Sequence, residues 1–547
     1  MKQTKKLSNK FLITMACGLM SALLVGCAGI GPVYIPGNAD TYDLDVTIDT
    51  RGTTISMWTG FGSQINTVME ELLDEFEQKT GIKVDYESKG GYPNLLKAIN
   101  LASTSGSFPN IANGYPDHFA SYIKSNILLR LDGLIENDGK RGDTEGAYTQ
   151  NGVRYGSDGI MLMDYDDFYN DYTRENETLE YKEDGTPHIL GVPFNKSTEV
   201  LVYNATFFQW AASREDLRNK IFVPVTWTDV KNVGVEIINL LKPGFKTPTA
   251  DGKILGSNNK WYTTTAEALA EQASIIMNLT SVDEASFRPF SYDSTANMFI
   301  TLVRQYGAQF TEIDKNRAGH GYVTFNDAEN KTKTTEAMTM LKDLFDSKVM
   351  GIPSVWNELY SSSPFKAYKS VMNISSTGGL SNITSAAIPV KAAPIPVKDS
   401  NQKYVISQGT SLGLFNKGTP AQRVAAWKLM IFLSQQKNGY FTSQTGYFPT
   451  GPFSYNSEDY QLYLESDMQS NTEVLQLECA NLNNEIYAGA DTGWTKFVDP
   501  GFRGSADIRD LVDTIPGLLM VGEPYRTVEE VLNAIYNSLS DYFKPTK

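Results

Sequence analysis

Cysteine is scarce in this sequence. Of 547 residues three are Cys, at positions 17, 27 and 479. Cys17 lies inside an N-terminal apolar run and Cys27 just past it. Cys479 alone remains for the body of the chain, which excludes an intramolecular disulfide there. A lone Cys in apolar-leaning surroundings reads as a small packed side chain. Histidine is equally rare: His118, His188 and His320 stand far apart at no metal-ligand spacing, which argues against zinc. Positive charge is in deficit, 48 Lys and Arg against 63 Asp and Glu, net −15. Such a surface disfavours nucleic acid and a broad basic membrane-binding face. Neither a Gly-x-Ser-x-Gly elbow nor a Walker-type phosphate loop is present. Ser-x-x-Lys occurs at Ser121–Lys124 and again at Ser363–Lys366, but no Lys-Thr-Gly accompanies either copy. Apolar runs are short too; the longest, Phe11–Val25, falls below a comfortable membrane span.

What is present begins at that run. Lys2, Lys5, Lys6 and Lys10 precede it, and Leu24-Val25-Gly26-Cys27 follows as a lipobox-like end. Residues 1–26 therefore read as a lipoprotein signal peptide, Cys27 as the lipidated first residue and 27–50 as a lipid-anchored tether. The protein is expected outside the cytoplasm, anchored to the cell membrane by lipid alone. A plain secretory signal with an incidental Cys is the alternative. Apolar content of 41%, with 29 Tyr and 26 Phe, indicates a globular chain, and its length calls for two lobes or domains.

From Thr53 the pattern is α/β. Thr54–Trp58 reads as a strand, Asn66–Thr80 as an amphipathic helix closed by Gly81, Ile82–Tyr86 as a strand and Asn94–Ala102 as a helix. That alternation implies a parallel sheet, whose ligands bind beyond the carboxyl ends of the strands. Gly139–Pro187 is long, acidic and Tyr-rich; without the ligand spacing of a calcium loop it reads as a solvated acidic surface. Ile189–Asn204 carries a polar prelude, Asn195–Thr198, before the β-branched run Val200–Tyr203 of a buried strand. Further helices are expected over Val230–Leu241, Ala266–Leu279, Thr295–Gly307, Lys333–Phe345, Ala421–Gln436 and Thr527–Phe543. Small-residue turns fall at Ser376–Gly379 and Gln408–Thr410.

In order, several motifs resemble the extracellular solute-binding proteins of bacterial ABC importers. They are Thr80–Val84, Ser105–Ile111, Gly191–Phe194 with Tyr203-Asn204, Thr226-Trp227, Ser376–Gly379, Ala425–Trp427 and Thr445–Pro449. The resemblance spans about Thr53–Tyr542 and includes the maltose- and glycerol-phosphate-binding proteins. It implies a type II periplasmic-binding-protein-like α/β fold of two lobes joined by about three crossing segments. Lobe 1 is expected over 51–202 and 371–414, lobe 2 over 203–370 and 415–547. Crossings are expected near Tyr203-Asn204, Ser370-Val371 and Leu414–Asn416.

Ser88–Tyr92, Pro193–Thr198, Ser376–Gly379 and Gly501–Arg509 are most similar to the glycerol-3-phosphate binders. Through that match Tyr92, Ser197, Ser376, Gly409, Tyr447 and Arg509 are the candidate ligand contacts. A guanidinium at Arg509 would suit a phosphate. Tyr115 and Asp117 join them at the third strand end, although Pro116 intervenes where those binders carry an acid directly after the Tyr. The implied function is binding of a sugar, sugar alcohol or glycerol phosphate and its delivery to an ABC permease and its ATPase. No catalysis, cofactor or metal is implied, and a monomer is expected. An extracellular carbohydrate-active enzyme, its two carboxylates hidden among 63, and a surface receptor or adhesin on the same fold are the alternatives.

Overall fold

The computed structural model describes residues 38–241, 254–255, 261–262, 283, 285–317, 319–466, 470–488, 492–540 and 543. The expected signal peptide, Cys27 and the helix expected over Ala266–Leu279 lie outside them. No described helix is long and apolar enough to cross a membrane.

The chain opens as β1 (Thr54–Thr59), α1 (Ser63–Thr80), β2 (Lys83–Ser88), α2 (Tyr92–Ser103), β3 (Ile111–Gly114) and α3 (Pro116–Lys124). On α1, Met69, Leu72, Leu73 and Phe76 recur at helical spacing and form its buried face, and Gly81 ends it in the left-handed region. β1 pairs in parallel with both β2 and β3, so three carboxyl ends share one edge. The long strand β4 (Val192–Asn204) follows. Beyond it come β5 (Phe290–Tyr292), α4 (Thr295–Gln305), β6 (Met350–Gly351), β7 (Met372–Ser376), β8 (Val390–Ala393) and a second long strand, β9 (Tyr404–Leu414). The last part carries α5 (Pro420–Ile431), α6 (Asn438–Thr445), α7 (Glu458–Glu465), α8 (Asn471–Asn481), β10 (Thr495–Phe497) and α9 (Ser505–Val512).

One ten-stranded sheet runs β6-β5-β7-β4-β9-β3-β1-β2, with β8 added to β4 and β10 to β9. Its strands serve two lobes. Val192, Phe194, Leu412 and Leu414 pack with α1, α5 and α6 into the core of the first. The opposite face of that part of the sheet is covered by Leu95, Ile99 and Phe119 from α2 and α3. Val200–Val202, Val405 and Ile406 pack instead with β5, β7, α4, α8 and α9 in the second lobe. β4 and β9, antiparallel to one another with a bulge at Thr410/Ser411, thus pass from one core to the other and form a two-stranded ribbon between them. A third passage lies between Tyr447, in the first core, and Leu475, in the second.

The lobes are therefore divided differently from the expectation. Residues 371–406 belong to the second lobe and 415–447 to the first, and the ribbon crosses at Asn195–Glu199 and Ser407–Ser411. Ser370-Val371 is interior to the second lobe, where Val371 is buried. The reason is that apolar runs on either side of a polar tract look alike in sequence whether they enter one core or two. Residues 38–50, read as tether, dock on the first lobe: Val46 is buried in its core and the Thr41 hydroxyl donates to the Arg130 carbonyl at 2.6 Å. Nor is the acidic stretch only solvated. Ile160, Met161 and Phe168 enter the first core, and Asp138 and Arg141 form a buried pair at 2.8 Å. α5 is apolar nearly all round and deeply packed, passing into a π turn at Phe432–Gln436.

Candidate functional site

Residues from the carboxyl ends of the first-lobe strands meet second-lobe residues around the ribbon. Tyr92 follows β2 and opens α2; its hydroxyl accepts from the Asn195 side-chain amide on the ribbon at 3.0 Å. It also bonds the Tyr447 hydroxyl. The Tyr115 ring meets Tyr92 edge-on at 5.0 Å, and Tyr447 stacks on Phe441 at 5.8 Å. Asn195 is held in turn by the Thr410 hydroxyl, which donates to its carbonyl. Burial pushes the Tyr92, Tyr115 and Tyr447 hydroxyls up, so all three stay protonated donors at neutral pH.

The second lobe comes in at the turn after β7. The Ser376 hydroxyl donates to that of Ser197 at 3.3 Å and accepts from the Gly378 N–H at 3.3 Å. Thr377 accepts from the Thr198 N–H at 3.3 Å. Gly378 lies against Tyr447 so closely that a Cβ there would come within 2.5 Å of the ring, so only glycine admits the tyrosine. The two lobes touch at this point. Gly409, opposite Lys196 in the ribbon, has φ +91°, and a Cβ there would sit 1.9 Å from the Asn195 carbonyl. It contributes backbone and close approach, and no side chain.

Arg509, on α9, donates to the Asn297 carbonyl. The Asn297 amide donates at 3.1 Å to Glu199, which also accepts from the Tyr292 hydroxyl. Burial pushes the Glu199 carboxyl up to about 7, against the Tyr292 and Asn297 bonds and the Arg509 charge. Asp499 is likewise pushed up to about 6 by burial, with Arg509 and Arg304 opposing. The guanidinium thus lies within electrostatic reach of two carboxyls. Asp117, in the first turn of α3, accepts from the His118 N–H at 2.8 Å. Its charge reaches both Tyr115 and Asp507 of α9, so α3 and α9 face one another across the lobes.

Of the eight candidates, Tyr92, Tyr115 and Tyr447 form one cluster and Ser197 with Ser376 a contact between lobes. Arg509 stands in a network of its own, within electrostatic reach of Tyr115, and Asp117 flanks that network. Asn195, Glu199, Asn297 and Asp499 were not among the candidates, although each holds one in place or faces it. Asn195 and Glu199 carried a signal, polar groups inside a strand otherwise buried; Asn297 and Asp499 sit in segments of ordinary helix and loop composition and carried none. A further pair, Lys196 with Glu175, is buried beside the cluster; Glu175 also accepts from Ser407 at 3.1 Å. It borders a cavity of about 230 Å³ lined from both lobes, with Lys496 at its wall. Burial pushes the Lys496 ammonium down to about 8, opposed by Asp171 and Glu175.

In comparison with known proteins, a family model described as bacterial extracellular solute-binding protein matches residues 71–465, well over half of the chain. No curated protein matches it. Among solved structures, the ABC substrate-binding protein Lmo0181 from Listeria monocytogenes in complex with cycloalternan is similar at TM-score 0.61 and 16% identity. That match covers 90% of this chain and 100% of that one. UgpB from Mycobacterium tuberculosis in complex with glycerophosphocholine gives 0.59 at 16% identity, over 89% and 98% of the two chains. The GacH receptor of Streptomyces glaucescens, solved unliganded and with acarbose, gives 0.59 at 14% identity over 90% and 99%. At such identities the likeness is one of fold: two lobes in an α/β architecture.

Proposed function

The chain belongs to the bacterial extracellular solute-binding proteins, and on that premise we propose that it binds a neutral carbohydrate or polyol between its lobes and presents it to an ABC permease. One observation carries the choice of solute: the only cation among the eight candidates, Arg509, is already engaged by Asn297 and lies within electrostatic reach of Glu199 and Asp499. A phosphate placed there would meet two carboxyls as well as the guanidinium. Sugar hydroxyls, which donate to carboxylates and accept from amides and tyrosines, fit the same groups without penalty, and the half-buried rings of Tyr92 and Tyr115 are of the type on which a sugar ring packs. Candidates from both lobes favour closure by rotation about the β4–β9 ribbon, because the solute gains its full set of contacts only when the lobes meet. Binding without turnover is the proposed activity. Lipid on Cys27 would hold the protein at the membrane; incorporation of labelled palmitate that is lost in Cys27→Ser tests this.

A second reading keeps glycerol phosphates as solutes, on the observation that Arg509 lies within electrostatic reach of Tyr115 beside the aromatic cluster. A thermal-shift panel of neutral sugars, sugar alcohols and glycerol phosphates separates the two. A ligand at a hundredfold its Kd stabilises by roughly 2.7 kcal/mol, readily seen. The neutral reading expects shifts from sugars or polyols. A shift from glycerol phosphate alone, abolished in Arg509→Ala, overturns it.

A further inference from the structure

A second opening flanks the aromatic cluster. Its volume is about 580 Å³, inside the roughly 300–1,000 Å³ range of pockets that hold small-molecule ligands. Both lobes wall it. Gln64 at the start of α1 and Gln444 near the end of α6 come from the first, Thr472, Glu473 and Gln476 of α8 from the second, with Asp459 of α7 alongside. Two links tie it to the cluster. Gly446, next to Tyr447, lies against the Gln476 side chain, where a Cβ would sit 3.0 Å from its nitrogen. Gln64 stands close behind Phe61, whose ring lies 6.5 Å from Tyr92 and 6.4 Å from Tyr447.

The chemistry of the lining is narrow. Three primary amides and two carboxyls are joined by hydroxyls, and neither Lys nor Arg takes part. An amide both donates and accepts and a carboxylate accepts, so the set matches hydroxyl groups and offers no cation to an anion. The second-lobe wall is also coupled to the Ser376–Gly379 turn, since the Thr472 hydroxyl bonds Thr384 at 2.6 Å, just past the short helix that follows the turn. A solute lying here would therefore be gripped by the same closure that brings Ser376 to Ser197.

We propose that this opening continues the solute cleft, and that the solute is an oligosaccharide longer than a disaccharide. One end lies at Tyr92–Tyr447; the other is held by Gln64, Gln444 and Gln476. The proposal rests on the neutral-carbohydrate reading above. Its test is calorimetric titration of the full chain with two probe series, glucose to maltohexaose and laminaribiose to laminarihexaose. Affinity should climb at least about tenfold, ~1.4 kcal/mol, between the two-unit and four-unit members of the series that binds. Binding with no dependence on length overturns the extension and leaves the carbohydrate reading standing; no binding by any member overturns the extension, while the panel of sugars and sugar alcohols decides the neutral reading by itself. Gln476→Phe, which fills the opening, should bring the long-to-short affinity ratio toward one, and Gln444→Ala should move it the same way. Unfolding midpoints certify that both variants fold. A ratio unchanged in both folded variants removes the opening from the solute site.

Discussion

Glu199 is a carboxyl that folding makes harder to ionise. Buried in the ribbon, it rises from an ordinary 4.5 to about 7. A raised carboxyl favours its protonated form in the folded state. Its contribution to stability is complete below about pH 4.5 and is lost as pH climbs through about 7. Asp499 acts in the same sense, from 3.8 to about 6. The natural protein should therefore lose stability between pH 4.5 and 7.5 on account of these two groups. Glu199→Gln, which keeps an acceptor for Asn297 and cannot ionise, should flatten a good part of that slope. Urea midpoints of both proteins at pH 5 and pH 7.5 measure it; parallel slopes would show that Glu199 is ionised in the fold at both pH values. Because Arg509 reaches Glu199 through Asn297, the same titration should alter solute affinity over the same window.

At the scale of elements, the ribbon and the turn after β7 depend on glycine for different reasons. Gly409 combines positive φ with a backbone approach no Cβ survives, so Gly409→Ala should destabilise by roughly 1–3 kcal/mol or more. A lowered urea midpoint would register this in the absence of any solute. Gly378→Ala collides with the Tyr447 ring, a side chain of the other lobe, which can swing aside as the lobes part. Stability should suffer little, while solute affinity falls at least about tenfold, as titration would read. Equal effects of the two substitutions on stability would mean that Tyr447 and Gly378 never separate.

Elements of this kind were legible to different degrees. The apolar period of α1 and its closing Gly81 showed its core face directly, as did the β-branched run of β4. The motif order led to Tyr92, Ser197, Ser376 and Tyr447, which the fold assembles near one another. The ribbon was misplaced by several residues because Asn195–Glu199 is polar yet buried, bonded across the chain, as Asn195 is to Thr410 215 positions away, to partners that no local pattern encodes. For the same reason Asn297 and Asp499, placed by tertiary contacts alone, left no trace in spacing or composition.

For the whole molecule, the central expectation is a hinge. Small-angle scattering of the protein with and without a solute found in the panel should show a smaller radius of gyration on binding, reversed on dialysis. A radius that stays constant would mean that solute enters lobes already closed, and then Ser197–Ser376 would be a permanent contact. The net charge of −15 disfavours broad contact with anionic lipid. Contact with a permease would then fall to specific complementary patches.

The ribbon has one more consequence, and it concerns time. Thr410 and Asn195, bonded across it, are 215 positions apart, and the first lobe borrows strand β9 and helices α5 and α6 from the far side of the second. While the chain is still growing from its N-terminus, neither lobe can finish. Everything up to β3 must wait, its sheet one strand short, until Leu414 has emerged. Late closure of so long a loop makes for slow folding, with the first lobe's edge left open until the second lobe's strands have been made.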